Sequence, residues 1–190
     1  AMKDYFFELV DFALSQLTGT EVLLLKFDGE ASDFVRFNHG RVRQPLSVTQ
    51  RYLALTLIQD QRQQCVTFSL TGNKAADCEL LTQQLGMMRH QLPNLPIDPY
   101  LLYATDGCDS DQVRRGVLPT ADQAIGDIVN QAGGLDLVGI LSSGPIYRGF
   151  ANSLGQRNWH EVDAFLFDWS IYQVADKAIK MSYSGTHWDR

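Results

Sequence analysis

The sequence predicts an α+β fold, two layers thick, in which a largely antiparallel sheet is covered by about three helices. Three observations carry this. β-rich segments follow one another from residue 34 to residue 71 with only turn signals between them, instead of alternating with helices one for one. Separate stretches beginning near Phe6, Cys78 and Ala121 repeat apolar residues at helical spacing. Residues 136–172 read as three strands on two turns, the last strand apolar at nearly every position.

Taken in order, Phe6, Leu9, Val10, Ala13, Leu14 and Leu17 form the stripe of a first amphipathic helix, and Gly19 is placed to stop it. Residues 21–28 are a strand candidate and 29–32 a turn. Strands follow at 34–39, 41–50, 52–60 and 65–71, with breaks at His39-Gly40, at Pro45 and across 60–64. In the last of them Val66, Phe68 and Leu70 alternate with Cys65, Thr67 and Ser69, so one face is buried. Asn73 then caps a second helix through Cys78, Leu81, Leu85, Met88 and Leu92, which Pro93 and Pro96 end.

Residues 93–122 read as a long surface loop that touches the core through Tyr100, Leu101, Leu102 and Tyr103. Thr120 and Gln123 make a capping box for a third helix, striped by Ala124, Ile125, Ile128 and Ala132 and stopped at Gly133-Gly134. Within 136–172 the turns fall at 142–145 and 152–156, and the run 159–171 is expected to be a central strand covered on both faces. A last strand over 178–183 has one wet face with Lys180 and Ser182, and His187 lies in a frayed tail.

At 190 residues the chain is expected to form one domain, residues 1–190. No apolar run approaches the ~20 residues of a membrane span, so no membrane partner is expected. Acids inside the N-terminal apolar stretch, with no small-residue cleavage pattern after it, argue against a secretory signal. A net charge of -6 opposes a nucleic-acid partner. The odd set Cys65, Cys78 and Cys108, with no C-x-x-C pair, argues against a disulfide framework or a structural zinc site, and buried inert thiols are expected. A reducing cytoplasm fits best.

No catalytic constellation is expected. His160-Glu161 resembles the start of a zinc-protease motif, but Ala164 and Phe165 stand where the second ligand belongs, on a predicted strand. Ser142 and Ser143 lack the spacing of a nucleophile elbow, and His90 suits the last turn of a helix. Gly149 and Gly155 lack the strand-turn-helix setting of a phosphate loop. The feature that remains is the basic group Arg36, His39, Arg41, Arg43 and Arg51. With residues 34–39 paired to the next strand, Arg36 shares a face with Phe34 and Asn38. That is either a groove for an acidic or extended peptide or a partner subunit, or a solvated face of weak surface ion pairs.

The stretch FVRFNHGRVRQ, from Phe34 to Gln44, resembles the N-terminal signature of the TldD/PmbA family. The likeness continues through 52–71 and the second helix. It returns in GPIYRGFANSLGQR, where Gly144, Arg148, Ala151, Asn152, Ser153 and Gly155 are similar to the family's R-x-x-A-N-S-x-G hairpin. The resemblance implies a cytoplasmic bacterial or archaeal protein of the group formerly called modulators of DNA gyrase. Members assemble as dimers that degrade or mature unfolded peptides. It implies zinc only in the C-terminal domain of TldD-type subunits, held by H-E-x-x-x-H plus a cysteine. This chain contains no such motif and resembles the N-terminal domain alone, so no catalytic or metal residue carries over. The implied role is assembly, with itself or a TldD/PmbA-like partner subunit, and binding of unfolded or leader peptides. Arg36, Asn38, Arg41, Arg43, Arg148 and Asn152 are the candidate contact residues. The alternative is a stand-alone peptide- or protein-binding regulatory module without peptidase activity. A chain that stops just after a core strand favours the first reading, as part of a longer polypeptide.

Overall fold

The structure, a computed structural model, describes residues 1–174 and 176–189. Its elements run α1 (Met2–Ser15), β1 (Val22–Asn38), β2 (Arg41–Gln59), β3 (Arg62–Ser69), α2 (Lys74–Gln91), β4 (Ser110–Arg114), α3 (Ala121–Ala132), β5 (Asp136–Asn152), β6 (Arg157–Val174) and β7 (Lys177–Gly185). The strands form one antiparallel sheet in the order β3-β2-β1-β5-β6-β4, with β7 also paired to β6. This is the α+β architecture the sequence predicts. Its contacts divide it into two compact units: Ala1–Gly29, Gln50–Gln112 and Tyr147–His160 in the first, Glu30–Thr49, Val113–Ile146 and Glu161–Arg190 in the second.

In the first unit α1 and α2 lie on one apolar core. Phe6, Leu9 and Val10 of α1 meet Leu23, Leu25 and Phe27 of β1, Leu53, Leu55 and Leu57 of β2, and Leu81 and Leu85 of α2, all fully buried. Each such side chain stabilises the fold by about 1.5–3 kcal/mol through burial. Trp159, 1% exposed, stacks on Phe6 and Phe27 at 6.0 Å from each. Asn73 caps α2 as its sequence predicts, its side chain accepting from the Ala76 N–H at 3.2 Å.

Glu21, just ahead of β1, is held by a two-pronged contact. Arg89 donates Nε to Oε1 at 2.7 Å and Nη2 to Oε2 at 2.8 Å. That hydrogen bonding holds the Glu21 carboxyl below its ordinary value of 4.5. A carboxyl whose pKa is depressed by folding stabilises the native state fully above its unfolded value and loses that contribution as pH falls through the native one. The stability gap between the native protein and Glu21→Gln, read by thermal melts, is therefore expected to be widest at neutral pH. It should narrow once the pH drops below about 4.5, the ordinary value.

The second unit has a thinner cover. Val35 and Phe37 of β1, Leu137 and Leu141 of β5, and Phe167 of β6 pack beneath Ala124, Ile128 and Ala132 of α3. The capping box at Thr120 and Gln123 forms, and Gly133 ends α3 at φ 53, both as predicted.

Several expectations are corrected. The turns at 29–32 and 142–145 do not exist, because β1 and β5 run straight through them. At 29–32 the alternation of buried positions loses its phase between Gly29 and Val35, with Ser32 buried at 4% exposed. At 142–145 Gly144 takes φ 152, and a Cβ there would collide with the Ala31 carbonyl oxygen. Pro45 breaks nothing and lies inside β2, on the half that β3 does not pair. The loop after α2 contains β4, and Tyr100 and Leu102 point into solvent, 87% and 90% exposed. β6 is interior to the sheet as expected, yet Leu166, Tyr172 and Val174 are exposed, so one face is open over part of its length. Cys65 and Cys108 are exposed rather than buried, and Cys78 is half-buried against the core of the first unit. His187 is not frayed: it bridges Val117, and the next residue's N–H donates to the Val117 carbonyl at 3.1 Å.

Candidate functional site

In the second unit, strand alternation sorts side chains onto two faces. Val35, Phe37, Leu137, Leu141 and Phe167 go to α3. Phe34, Arg36, Val138, Ile140, Ser142, Leu166, Asp168 and Ser170 go to the other face, where they line a cleft of about 430 Å³. The β6–β7 register sets Ser170 opposite Lys180 and Asp168 opposite Ser182, which brings Lys180 into the same cleft.

The β1–β2 hairpin extends this face. Its turn is two residues, His39 and Gly40, at φ 51 and 64, the left-handed pair that a tight hairpin needs. A turn of that length sets Asn38 across from Arg41 and Arg36 across from Arg43, on one side of the sheet. The tip is pinned: Gly40 N–H donates to the Leu137 carbonyl at 2.9 Å, and His39 Nδ1 lies 2.7 Å from Asp136 Oδ1. Arg36, Arg41, Arg43 and Lys180 have no ion-pair partner among the described residues. Like charges set directly opposite are destabilising, and Asp168, which lines the cleft with Arg36 and Lys180, is one carboxylate against four cationic side chains, so the strip keeps a net positive charge.

The surroundings are apolar as well as basic. Ile140 and Leu166 stand on the face at 50% and 44% exposed. Beside it, β2 over residues 41–50 has β1 on one side and, among the described residues, no strand paired on the other, since β3 pairs only from Tyr52 onward. Its backbone groups can therefore accept an added strand.

The predicted contact residues separate into two groups. Arg36, Asn38, Arg41 and Arg43 come together on this face. Arg148 and Asn152 lie in the first unit and carry local contacts there. Arg148 Nε is 3.0 Å from Asp28 Oδ1, and its Nη1 donates to the Tyr147 carbonyl at 2.8 Å. Asn152, 3% exposed, accepts from the Leu154 and Gln156 N–H groups at 3.0 Å each and so closes the β5–β6 turn. Sequence reasoning missed Lys180. The alternation of 178–183 puts it on a wet face, but only strand pairing reveals which residues share that face.

Glu161 accepts from Arg115 Nη1 at 2.6 Å, and among the described residues no group of three His, Cys, Asp or Glu side chains is placed to hold a metal.

What these features define is an α+β fold with an open cationic face. Its fold recurs in larger proteins. The chain is similar to the crystal structure of TldE from Thermococcus kodakarensis, with 11% identity and a TM-score of 0.61, over 95% of this chain and 42% of that one. It is similar to a candidate modulator of a DNA gyrase from Thermotoga maritima, with 9% identity and a TM-score of 0.56, over 97% of this chain and 42% of that one. A candidate modulator of DNA gyrase from Bacteroides thetaiotaomicron matches at 14% identity and a TM-score of 0.58, over 97% of this chain and 45% of that one. No protein-family model and no curated protein matches the sequence. The TldD/PmbA resemblance read from Phe34–Gln44 and Gly144–Arg157 thus holds at the level of the fold, and the chain spans less than half the length of these structures.

Proposed function

We propose that this chain acts as the non-catalytic N-terminal domain of a TldD/PmbA-like metallopeptidase in the cytoplasm. In that role it assembles with a second copy or a related partner subunit and holds unfolded or leader peptides for proteolysis or maturation. Any zinc would belong to a TldD-type motif that this sequence does not contain. The observation that carries the reading is the strip of Arg36, Arg41, Arg43 and Lys180, net positive despite Asp168, beside the open edge of β2. An extended acidic segment would pair its backbone with that edge and place carboxylates on the neighbouring guanidinium groups.

The test is fluorescence anisotropy of a labelled acidic, unstructured peptide against its basic counterpart. The acidic peptide is expected to bind, and to bind less tightly as salt rises. Arg36→Ala should weaken it about tenfold, since hydrogen bonds to charged groups are worth about 1.5–3 kcal/mol. The melting temperature should move by no more than about 2 °C, because exposed side chains contribute little to stability. Equal affinity for both peptides, or chelator-sensitive digestion of casein by the purified chain, would defeat the proposal.

A further inference from the structure

The open edge of β2 is specific in more than its charge. We infer that it selects one pattern of residues in the segment it holds: carboxylates at positions i and i+2 with an apolar, β-branched residue between them, the segment running antiparallel to β2 and hydrogen bonded to Val42. This selectivity rests on the peptide-holding role proposed above.

The backbone sets the register. With only His39 and Gly40 in the turn, Asn38 and Arg41 exchange both of their main-chain hydrogen bonds, and so do Arg36 and Arg43. Val42 and Gln44 therefore turn their N–H and C=O groups away from β1. Among the described residues no strand, turn or side chain takes those groups. An antiparallel segment that exchanges bonds with Val42 places its two adjoining residues opposite Arg41 and Arg43. Those are the non-hydrogen-bonded positions, where facing Cα atoms come within about 4.5 Å and side chains lie closest.

Side-chain alternation then dictates the chemistry. Arg41 and Arg43 project on one face, so carboxylates two residues apart meet one guanidinium each. Val42, 37% exposed, projects on the other face, where an apolar neighbour covers it and a β-branched one suits the strand. The charge ends soon after: Pro45 carries none, and the Ser47 hydroxyl donates to Asp33 Oδ1 at 2.6 Å, so a further carboxylate there would meet another. The same register disfavours the edge of a second copy, because β2 laid against β2 about Val42 would set Arg41 opposite Arg43, like charge against like.

Two labelled peptides of identical composition test this by fluorescence anisotropy with the intact chain, one with Glu-Val-Glu at the centre of a Ser/Thr frame and the other with Glu-Glu-Val. The alternating order is expected to bind about tenfold more tightly, since the blocked order leaves one guanidinium without a carboxylate. In Arg43→Gln the two affinities should converge. N-methylation of the central valine, whose N–H would donate to the Val42 carbonyl, should cost about tenfold or more, whereas N-methylation of the glutamate that follows it, whose N–H points away from β2, should change affinity less than about twofold. Equal binding of the two orders would overturn the pattern and leave the acidic-peptide role standing. Failure of both peptides to bind would overturn the two together, and affinity that falls as protein concentration rises would show a second copy on the edge and overturn the assignment as well.

Discussion

Replacing Asp77 by Ala is expected to destabilise the chain by about 4 kcal/mol, a large share of a typical total of about 5–15 kcal/mol. Asp77 opens α2 yet is fully buried, a position where a carboxylate survives only if its lone pairs are used. They are. Oδ1 accepts from the Thr71 N–H at 2.8 Å and the Thr71 hydroxyl at 3.0 Å, and Oδ2 accepts from the Gly72 N–H at 3.0 Å and the Tyr5 hydroxyl at 2.6 Å. One side chain thus ties the end of β3, the first turn of α2 and the face of α1 together. Alanine would leave these donors without an acceptor in a dry site, at about 1–3 kcal/mol for each that fails to find another, with a small cavity besides. Urea unfolding is the measurement, and a loss under about 1 kcal/mol would show that the network is idle.

Tyr5 supplies an independent reading of the same network. Burial, followed by the hydrogen bond to Asp77, pushes its hydroxyl above the ordinary tyrosine range. In Asp77→Ala the second of these influences disappears. Its alkaline ultraviolet titration should move down toward the usual value.

Gly144→Ala is the second large effect. At φ 152 the backbone occupies a region essentially closed to residues with a side chain, and the new methyl would sit against the Ala31 carbonyl oxygen and 3.0 Å from the Ser32 Cα. Both obstacles are main chain and cannot swing aside. A loss of about 3 kcal/mol or more is expected, from backbone strain and overpacking together. Gly126→Ala is the matched control: its position in α3 has open space around it, so the same change should stabilise by about 0.5–1 kcal/mol through helix propensity. If the two substitutions shift the melting temperature in the same direction, the close approach of β1 and β5 at Gly144 is wrong.

That close approach also explains what the sequence concealed. The two turns expected at 29–32 and 142–145 are the two sides of one close approach: Gly144 on β5 passes against the main chain of Ala31 and Ser32 on β1. Small polar residues announce a turn when read locally. Here they record a tertiary contact between segments more than a hundred positions apart, which no local pattern encodes. Features whose cause is local were legible: the caps at Asn73, Thr120 and Gly133, the alternation of Val66, Phe68 and Leu70, and the His39-Gly40 turn. The candidate site divides along the same line. Arg36, Asn38, Arg41 and Arg43 fall within one hairpin and could be grouped from sequence, whereas Lys180 joins them only through the order of β1, β5, β6 and β7. Tyr100 and Leu102 misled for another reason, since an apolar side chain in a loop carries no mark of whether anything lies above it.

The thiols of Cys65 and Cys108 lie in solvent. Left in air, two such groups on each molecule oxidise and couple neighbouring molecules covalently. Species of doubled mass that vanish when a reductant is added would then report storage history, and only association that persists under reducing conditions would speak to how the protein assembles.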